Sequence, residues 1–136
     1  MEDCIFCKIV RGEIPSAKIL ENEGVLAFMD INPVSKGHAL VIPKAHYATF
    51  PEMPMEVFTQ LGEALQRIGT AVGSQLNSDG FNILLNNGRA AGQLIDHAHF
   101  HLIPRNEADG VMSWPPVHPY AEGEMEAIRA LLVGAV

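Results

Sequence analysis

Three of the chain's six histidines lie at alternate positions in the sequence HAHFHLIPR, residues 97–105. In a β-strand alternate side chains point to the same face, so His97, His99 and His101 would stand in a row. The apolar residues between them, alanine, phenylalanine and leucine, would point to the opposite face and suit a buried core. The pattern therefore predicts a strand with one face lined by imidazoles and one face packed in the core.

Three interpretations of this row compete. A His-x-His pair is typical of large metal-dependent hydrolases, but those enzymes use barrels of about 250 residues, and this chain has 136. A purely structural role would bury three polar rings without a purpose. In phosphoryl chemistry one imidazole can attack phosphorus and later leave, while a second binds the phosphate oxygens or protonates the leaving group. This third interpretation gives two neighbouring rings a use, and it requires a further polar group that fixes the nucleophile's tautomer.

The two cysteines lie in the sequence Cys4-Ile-Phe-Cys7. A disulfide between them would close almost no loop and would stabilise the fold little. Metal ligation or a redox pair is the better functional interpretation. The structural alternative is two small apolar residues on a short helix.

Length and charge limit the class of protein. The chain has the size of a single domain, residues 1–136. A net charge of −7 argues against nucleic acid or an anionic membrane as the main partner, although histidines and backbone N–H groups can still bind a small anion. The start MEDCIF lacks the basic residues of a secretory signal, and no stretch approaches the roughly 18 apolar residues of a membrane span. We therefore expect a cytoplasmic protein.

The periodicity of apolar residues changes along the chain. Between Pro54 and Asn77 they recur at spacings of three and four, which predicts one amphipathic helix; its stripe consists of Phe58, Leu61, Leu65, Ile68, Val72 and Leu76. Strands are predicted at AKILEN, GVLAFMD, GHALVIPK, FNILLNN and HAHFHLIP, and short helices at CIFCKIVRG, ended by Gly12, and around residues 122–132. Strands in runs with one main helix predict an α+β domain built on an antiparallel, five-stranded sheet.

These motifs together resemble the histidine triad (HIT) family of nucleotide hydrolases and transferases. Residues 97–103 match its signature, His-x-His-x-His followed by two apolar residues. The segments CIFCKIVRGEIPSAKI, GVLAFMDINPVSKGHALVIPKAHY and GFNILLNNGRAAGQ resemble the family in the same order, so the likeness covers residues 4–105 and leaves 106–136 as a variable tail. The resemblance implies a homodimer whose two sheets join into one.

The resemblance also implies a function. It predicts cleavage at the α-phosphorus of a purine nucleoside phosphate derivative, such as a phosphoramidate, an adenylate or a dinucleoside polyphosphate. His99 would be the nucleophile that carries the nucleotidyl group, His101 would contact the phosphate and assist the leaving group, and His38 would support the phosphate site. The alternatives are a nucleotidyl transferase and a non-catalytic nucleotide-binding module.

Substrate-binding residues follow from the same resemblance. Asp30 would hold the ribose hydroxyls, and Asn86 would bond the phosphate or the leaving group, with Gln93 in the loop beside it. For the apolar residues core packing is the alternative. The base would be enclosed by Phe6, Ile9, Phe28 and Ile31.

A structural zinc ion is a further implication of the resemblance. Its ligands would be Cys4, Cys7, His46 and His97, two thiolates and two neutral imidazoles that form a closed tetrahedral site. Two positions depart from the family pattern: Leu94 stands where serine or threonine is frequent, which puts phosphoramide cleavage in question. Asp96 precedes the first histidine of the triad, where it would either orient a zinc ligand or face solvent.

Overall fold

The computed structural model describes residues 3–136 and contains one five-stranded antiparallel sheet with three α-helices. The strand order is β1-β2-β3-β5-β4, which places β5 between β3 and β4. The predicted α+β fold with one main helix and short terminal helices is confirmed. The elements are α1 (Ile5–Val10), β1 (Lys18–Glu21), β2 (Val25–Met29), β3 (Ala39–Pro43), α2 (Met55–Leu76), β4 (Gly80–Leu85), β5 (Phe100–Arg105) and α3 (Glu124–Val133).

The central strands are buried on both faces, because a helix covers each side of the sheet. Alternate residues of β2 and β3, such as Val25 and Val41, pack with α2 in one core cluster. Their neighbours, such as Leu26 and Ile42, pack with α1 in a second cluster. This double burial explains why β2 and β3 read as nearly continuous apolar runs in the sequence.

Helix α2 begins and ends within one residue of the predicted span 54–77. Leu61, Leu65, Ile68 and Val72 are buried against the sheet, as their spacing predicts. Leu76 differs from the prediction, because its side chain is 50% exposed at the last turn. The helix ends there, and Asn77 adopts the left-handed conformation that often terminates helices.

Strand β5 is shorter than predicted at its N-terminal end. The ladder with β3 reaches only the pair Val41↔Phe100, and Pro43, farther along β3, has no N–H with which to extend it. The Ala98 N–H donates instead to the Tyr47 carbonyl, at 2.7 Å. His97 and His99 therefore precede the regular strand. The predicted alternation still holds, since Ala98, Phe100 and Leu102 all lie in the core cluster beside α2.

The segment after β5 is exposed. No residue of α3 is buried, and Trp114 is 90% exposed. Over the described residues, none of the helices combines the length and apolarity that crossing a bilayer requires.

Candidate active site

The His99 ring is held so that one nitrogen is free to react. Its Nδ1 lies 2.7 Å from the carbonyl oxygen of His97. A carbonyl can only accept, so Nδ1 carries the proton and Nε2 keeps an unshared electron pair. The Phe6 ring packs edge-on against the imidazole, with centroids 5.0 Å apart. These contacts fix both the tautomer and the orientation of a nucleophilic nitrogen.

A chain of hydrogen bonds gives His101 the tautomer opposite to that of His99. The Val34 N–H donates to Nδ1 of His38 at 3.0 Å, which leaves the His38 proton on Nε2. That nitrogen lies 2.9 Å from Nδ1 of His101, so the His101 proton is on Nε2. The neighbouring rings of His99 and His101, with centroids 5.0 Å apart, therefore offer an acceptor and a donor.

Burial keeps these imidazoles neutral. It is the main cause that lowers the pKa of His99 and of His38 below the ordinary 6.5. Burial, together with repulsion from His99 and His38, lowers the pKa of His101 to about 4. A neutral His99 is the form that can act as a nucleophile at pH 7.

A cavity of about 440 Å³ opens in front of the two rings. Its lining is mainly apolar and includes a few polar side chains. Of the residues expected to enclose the base, Phe6, Ile9 and Phe28 are buried, each also packing in the core, while Ile31 is 91% exposed at the mouth. The structure brings these residues together with Asp30, Asn86, His99 and His101 in the cavity lining.

Asp30 and His38 lie beside His101, with their ligand atoms within 4.8 Å of one another. The Asp30 carboxylate is 3.5 Å from Nε2 of His38, and it also accepts from the Asn32 N–H at 2.8 Å. His38 is 2% exposed and contacts His101 rather than lining the cavity. The geometry thus gives His38 a supporting position behind His101.

Gln93 differs from the expectation of a substrate contact. It is 1% exposed, and it does not line the cavity. Its Oε1 accepts from the Gly88 N–H, and its Nε2 donates to the carbonyls of Ala48 and Ile95. With its amide engaged in this way, Gln93 ties the loop that carries Asn86 to the chain before the triad.

Four side chains with sulfur or nitrogen ligand atoms converge beside the N-terminal end of β5. The Nδ1 of His97 lies 3.4 Å from Sγ of Cys4 and 3.6 Å from Sγ of Cys7, and Cys7 is 3.4 Å from Nδ1 of His46. Tetrahedral zinc with ordinary bond lengths would separate nitrogen and sulfur ligands by about 3.6 Å. Cys4, Cys7, His46 and His97 can therefore hold a metal ion.

The surroundings of this cluster favour metal binding. His97 Nε2 donates to the Pro43 carbonyl at 2.8 Å, so the electron pair of Nδ1 faces the two sulfurs. Burial lowers the pKa of His97 to about 4 and keeps it neutral. Burial and the neighbouring Cys4 raise the pKa of the Cys7 thiol, a tendency that a bound cation would oppose by stabilising the thiolate.

Asp96 and Leu94, the two positions that depart from the family pattern, are both exposed. The Asp96 carboxylate lies 3.9 Å from Arg89, and its side chain is 70% exposed. Among the described hydrogen bonds none joins it to a metal-cluster residue. Leu94 is 75% exposed and lines the cavity mouth.

Sequence reasoning missed the backbone groups that set the ring tautomers. These are the carbonyls of Pro43 and His97 and the Val34 N–H. The residue types at these positions do not reveal such bonds in the sequence, because any residue supplies the same backbone carbonyl and any residue except proline the same N–H. Only the proline at position 43, which cuts the strand ladder short, hints at a free carbonyl.

The fold and the site together define a small α+β protein in which two neutral imidazoles at the start of β5 face a cavity lined mainly by apolar side chains. Residues 11–108 match the model of the HIT domain. The adenosine 5′-monophosphoramidase hnt1 of Schizosaccharomyces pombe is 45% identical over 127 residues, which cover 92% of each chain. The chain therefore belongs to the HIT domain family.

Solved structures agree with this assignment. A HIT family member from Bacillus subtilis superimposes with a TM-score of 0.89 at 39% identity, covering 98% of this chain and 97% of that one. A zinc-bound histidine triad family protein from Mycobacterium smegmatis gives a TM-score of 0.78 at 36% identity, covering 99% of each chain. Both likenesses extend over nearly the whole chain.

Proposed function

We propose that this protein hydrolyses purine nucleoside 5′-phosphate derivatives, with AMP as the nucleotide released, through a nucleotidyl intermediate on His99. The observation that carries this proposal is the free Nε2 electron pair of His99, held beside the Nε2–H donor of His101 in an apolar cavity. The similarity to an adenosine 5′-monophosphoramidase over 92% of the chain supports the choice of nucleotide.

The first half of the reaction transfers the nucleotidyl group to the protein. Nε2 of His99 attacks the α-phosphorus, and the bond from phosphorus to the leaving group breaks with its electron pair going to that group. A leaving amine takes a proton from water, which becomes hydroxide. The His97 carbonyl, which accepts from Nδ1–H of His99, stabilises the positive ring that forms, and His101 Nε2–H donates to a phosphoryl oxygen.

In the second half, hydroxide attacks the phosphorus and the bond to Nε2 of His99 breaks. AMP leaves, and His99 recovers its neutral form. The net reaction consumes one water and releases AMP and the amine. His38 would keep the His101 donor pointed at the phosphate throughout, since the hydrogen bond between the two rings fixes the His101 tautomer.

Release of AMP from adenosine 5′-phosphoramidate tests this function directly. We expect turnover by the purified protein, with AMP and ammonia formed in equal amounts. Tight binding of AMP without any release would replace the hydrolase proposal with a nucleotide-binding module. Release that begins only when a second nucleophile is supplied would replace it with a nucleotidyl transferase.

The pH dependence should report a depressed pKa for His99. Protonation of Nε2 removes the attacking electron pair, so activity falls as the pH drops through that pKa. Because burial lowers the pKa of His99 below 6.5, the acid limb of the kcat/KM profile should have its midpoint below pH 6.5. An acid limb with its midpoint at or above 6.5 would contradict the assignment.

We also propose that the metal is zinc, held by Cys4, Cys7, His46 and His97. Two thiolates and two imidazoles suit zinc and leave no open position for substrate. The zinc-bound relative from Mycobacterium smegmatis supports this choice. Bound there, zinc would fasten α1 to the chain just before β5, and it would take no part in the chemical steps above.

A homodimer is the third part of the proposal. Strand β4 is an edge of the sheet, and Phe81 and Ile83 are 43% and 45% exposed along it. An unpaired edge with apolar side chains favours pairing with another strand. Light scattering on the eluting protein should give twice the mass of the chain, and a stable monomer at micromolar concentration would refute the dimer.

A further inference from the structure

One polar residue that lines the catalytic cavity has a side chain without a hydrogen-bond partner. The Oγ atom of Ser16 is enclosed by the protein, yet it forms no hydrogen bond. Among the buried and half-buried residues within the described range 3–136, no other enclosed side-chain nitrogen or oxygen lacks a partner. Leaving a buried hydroxyl unpaired costs free energy, so a ligand in the cavity that Ser16 lines is a candidate for the missing partner.

The pairing of β1 with β2 places Ser16 beside the proposed nucleotide site. The Met29 N–H donates to the Ala17 carbonyl at 2.9 Å, which continues the antiparallel register one residue beyond the start of β1. One residue farther along, Ser16 lies opposite Asp30. Directly opposite side chains of an antiparallel pair point to the same face of the sheet. Ser16 therefore shares a face with Asp30 and Phe28, which also line the cavity.

The side chains expected to enclose the base carry no polar atom. A purine, in contrast, has ring nitrogens and exocyclic groups that lose water when the base is buried and then need partners. Asp30 is assigned to the ribose hydroxyls, and the imidazoles are assigned to the phosphate. Of the polar side chains in the lining, Ser16 is the one with an enclosed and unpaired oxygen. The apolar residues around the base are Phe6, Ile9, Phe28 and Ile31.

A small motion is sufficient to bring the Ser16 hydroxyl to a ligand. The residue as a whole is half-buried, and rotation between staggered rotamers moves a serine Oγ by about 2 Å. Because Oγ has no hydrogen bond in the free protein, this rotation breaks none. A hydroxyl both donates and accepts, so it can pair with a ring nitrogen or with an exocyclic amino group.

We propose that Ser16 recognises the purine base: when the nucleotide binds, the Ser16 hydroxyl turns into the cavity and forms a hydrogen bond with a polar atom on the edge of the base. This inference rests on the proposed function and deepens it by naming a residue that selects the base. The hydroxyl takes no part in the transfer of the nucleotidyl group, which belongs to the imidazoles.

Binding of AMP and of ribose 5-phosphate to the purified protein tests the base contact. Ser16→Ala should weaken AMP binding about fivefold, because one hydrogen bond is lost. Ribose 5-phosphate has no base, so its affinity should be the same in the variant and the wild type. The control Ser74→Ala, at an exposed position of α2, should change neither affinity. Unchanged AMP binding in Ser16→Ala, or equal weakening of both ligands, would overturn the proposal.

The stability of the protein without nucleotide gives a second readout. Removing an unpaired buried hydroxyl should leave the Tm of Ser16→Ala equal to that of the wild type or raise it. Addition of saturating AMP should then raise the Tm of the wild type more than that of the variant. A Tm of the nucleotide-free variant clearly below that of the wild type would overturn the proposal, because the hydroxyl would then have a partner in the free protein.

Steady-state kinetics separate base recognition from the chemical step. With adenosine 5′-phosphoramidate, Ser16→Ala should raise KM about fivefold and leave kcat nearly unchanged, as expected for a contact made equally in the ground state and the transition state. A fall in kcat with an unchanged KM would overturn the base contact and leave the hydrolase proposal in place. If the wild type releases no AMP, the hydrolase proposal fails, and the binding of AMP relative to ribose 5-phosphate alone decides the role of Ser16.

Discussion

Replacing His99 by alanine is expected to lower kcat/KM for AMP release by roughly 10⁴-fold or more. The variant loses the Nε2 electron pair that faces the cavity in a tautomer fixed by the His97 carbonyl, and water alone is a poor substitute for an activated nucleophile. The measurement is steady-state release of AMP from adenosine 5′-phosphoramidate, with AMP binding measured in parallel to show that the cavity is intact.

Two further variants serve as controls for His99→Ala. His101→Ala should lose less, on the order of 10²-fold, because it removes a hydrogen-bond donor but not the nucleophile. His118→Ala, which changes an exposed histidine of the tail, should keep full activity. If His99→Ala retained a tenth of the wild-type rate, the nucleophile would have to be sought elsewhere.

Removal of the metal is expected to lower the stability of the protein by several kcal/mol, seen as a fall in Tm of roughly 10 °C or more. The cluster joins residues from three separate segments, around Cys4, His46 and His97, so its loss removes one of the contacts that hold the N-terminal helix to the sheet, in addition to the packing of Phe6 and Ile9. Elemental analysis of the purified protein should find about one zinc per chain, and the thermal transition should be followed before and after treatment with a chelator.

The variant Cys7→Ser supplies the matched control for the metal. It should reproduce the low Tm in the presence of zinc, and chelation should then lower its Tm little further. Wild type and variant should converge once both are free of metal. A metal-free wild type with an unchanged Tm would show that the four residues pack without needing an ion.

Elements with strong periodicity could be predicted from the sequence, and α2 is the best example. Its buried stripe repeats at the helical period, so its ends fell within one residue of the predicted span. The beginning of β5 could not be predicted in this way, because the ladder with β3 ends at the pair Val41↔Phe100, two residues before Pro43. A strand boundary of this kind depends on a residue more than fifty positions away.

The candidate site was predictable in its residue types but not in its connections. Gln93 has a side chain that could bind a ligand, yet its amide is hydrogen-bonded to backbone groups of two connections, Ala48 between β3 and α2, and Gly88 and Ile95 between β4 and β5. Residue spacing identified Cys4 and Cys7 as a metal or redox pair, whereas the contribution of His46 came only from the resemblance. The single-domain organisation and the cytoplasmic location stay predictions.

Trapping the covalent intermediate tests the central claim most directly. Wild-type protein mixed with excess adenosine 5′-phosphoramidate, quenched within one turnover and digested, should yield a peptide containing residues 97–101 that carries one adenylyl group, located on His99 by fragmentation. The adduct should form and decay at rates that account for steady-state turnover. Release of AMP without any adduct on His99, or an adduct on another residue formed fast enough to explain turnover, would contradict the mechanism.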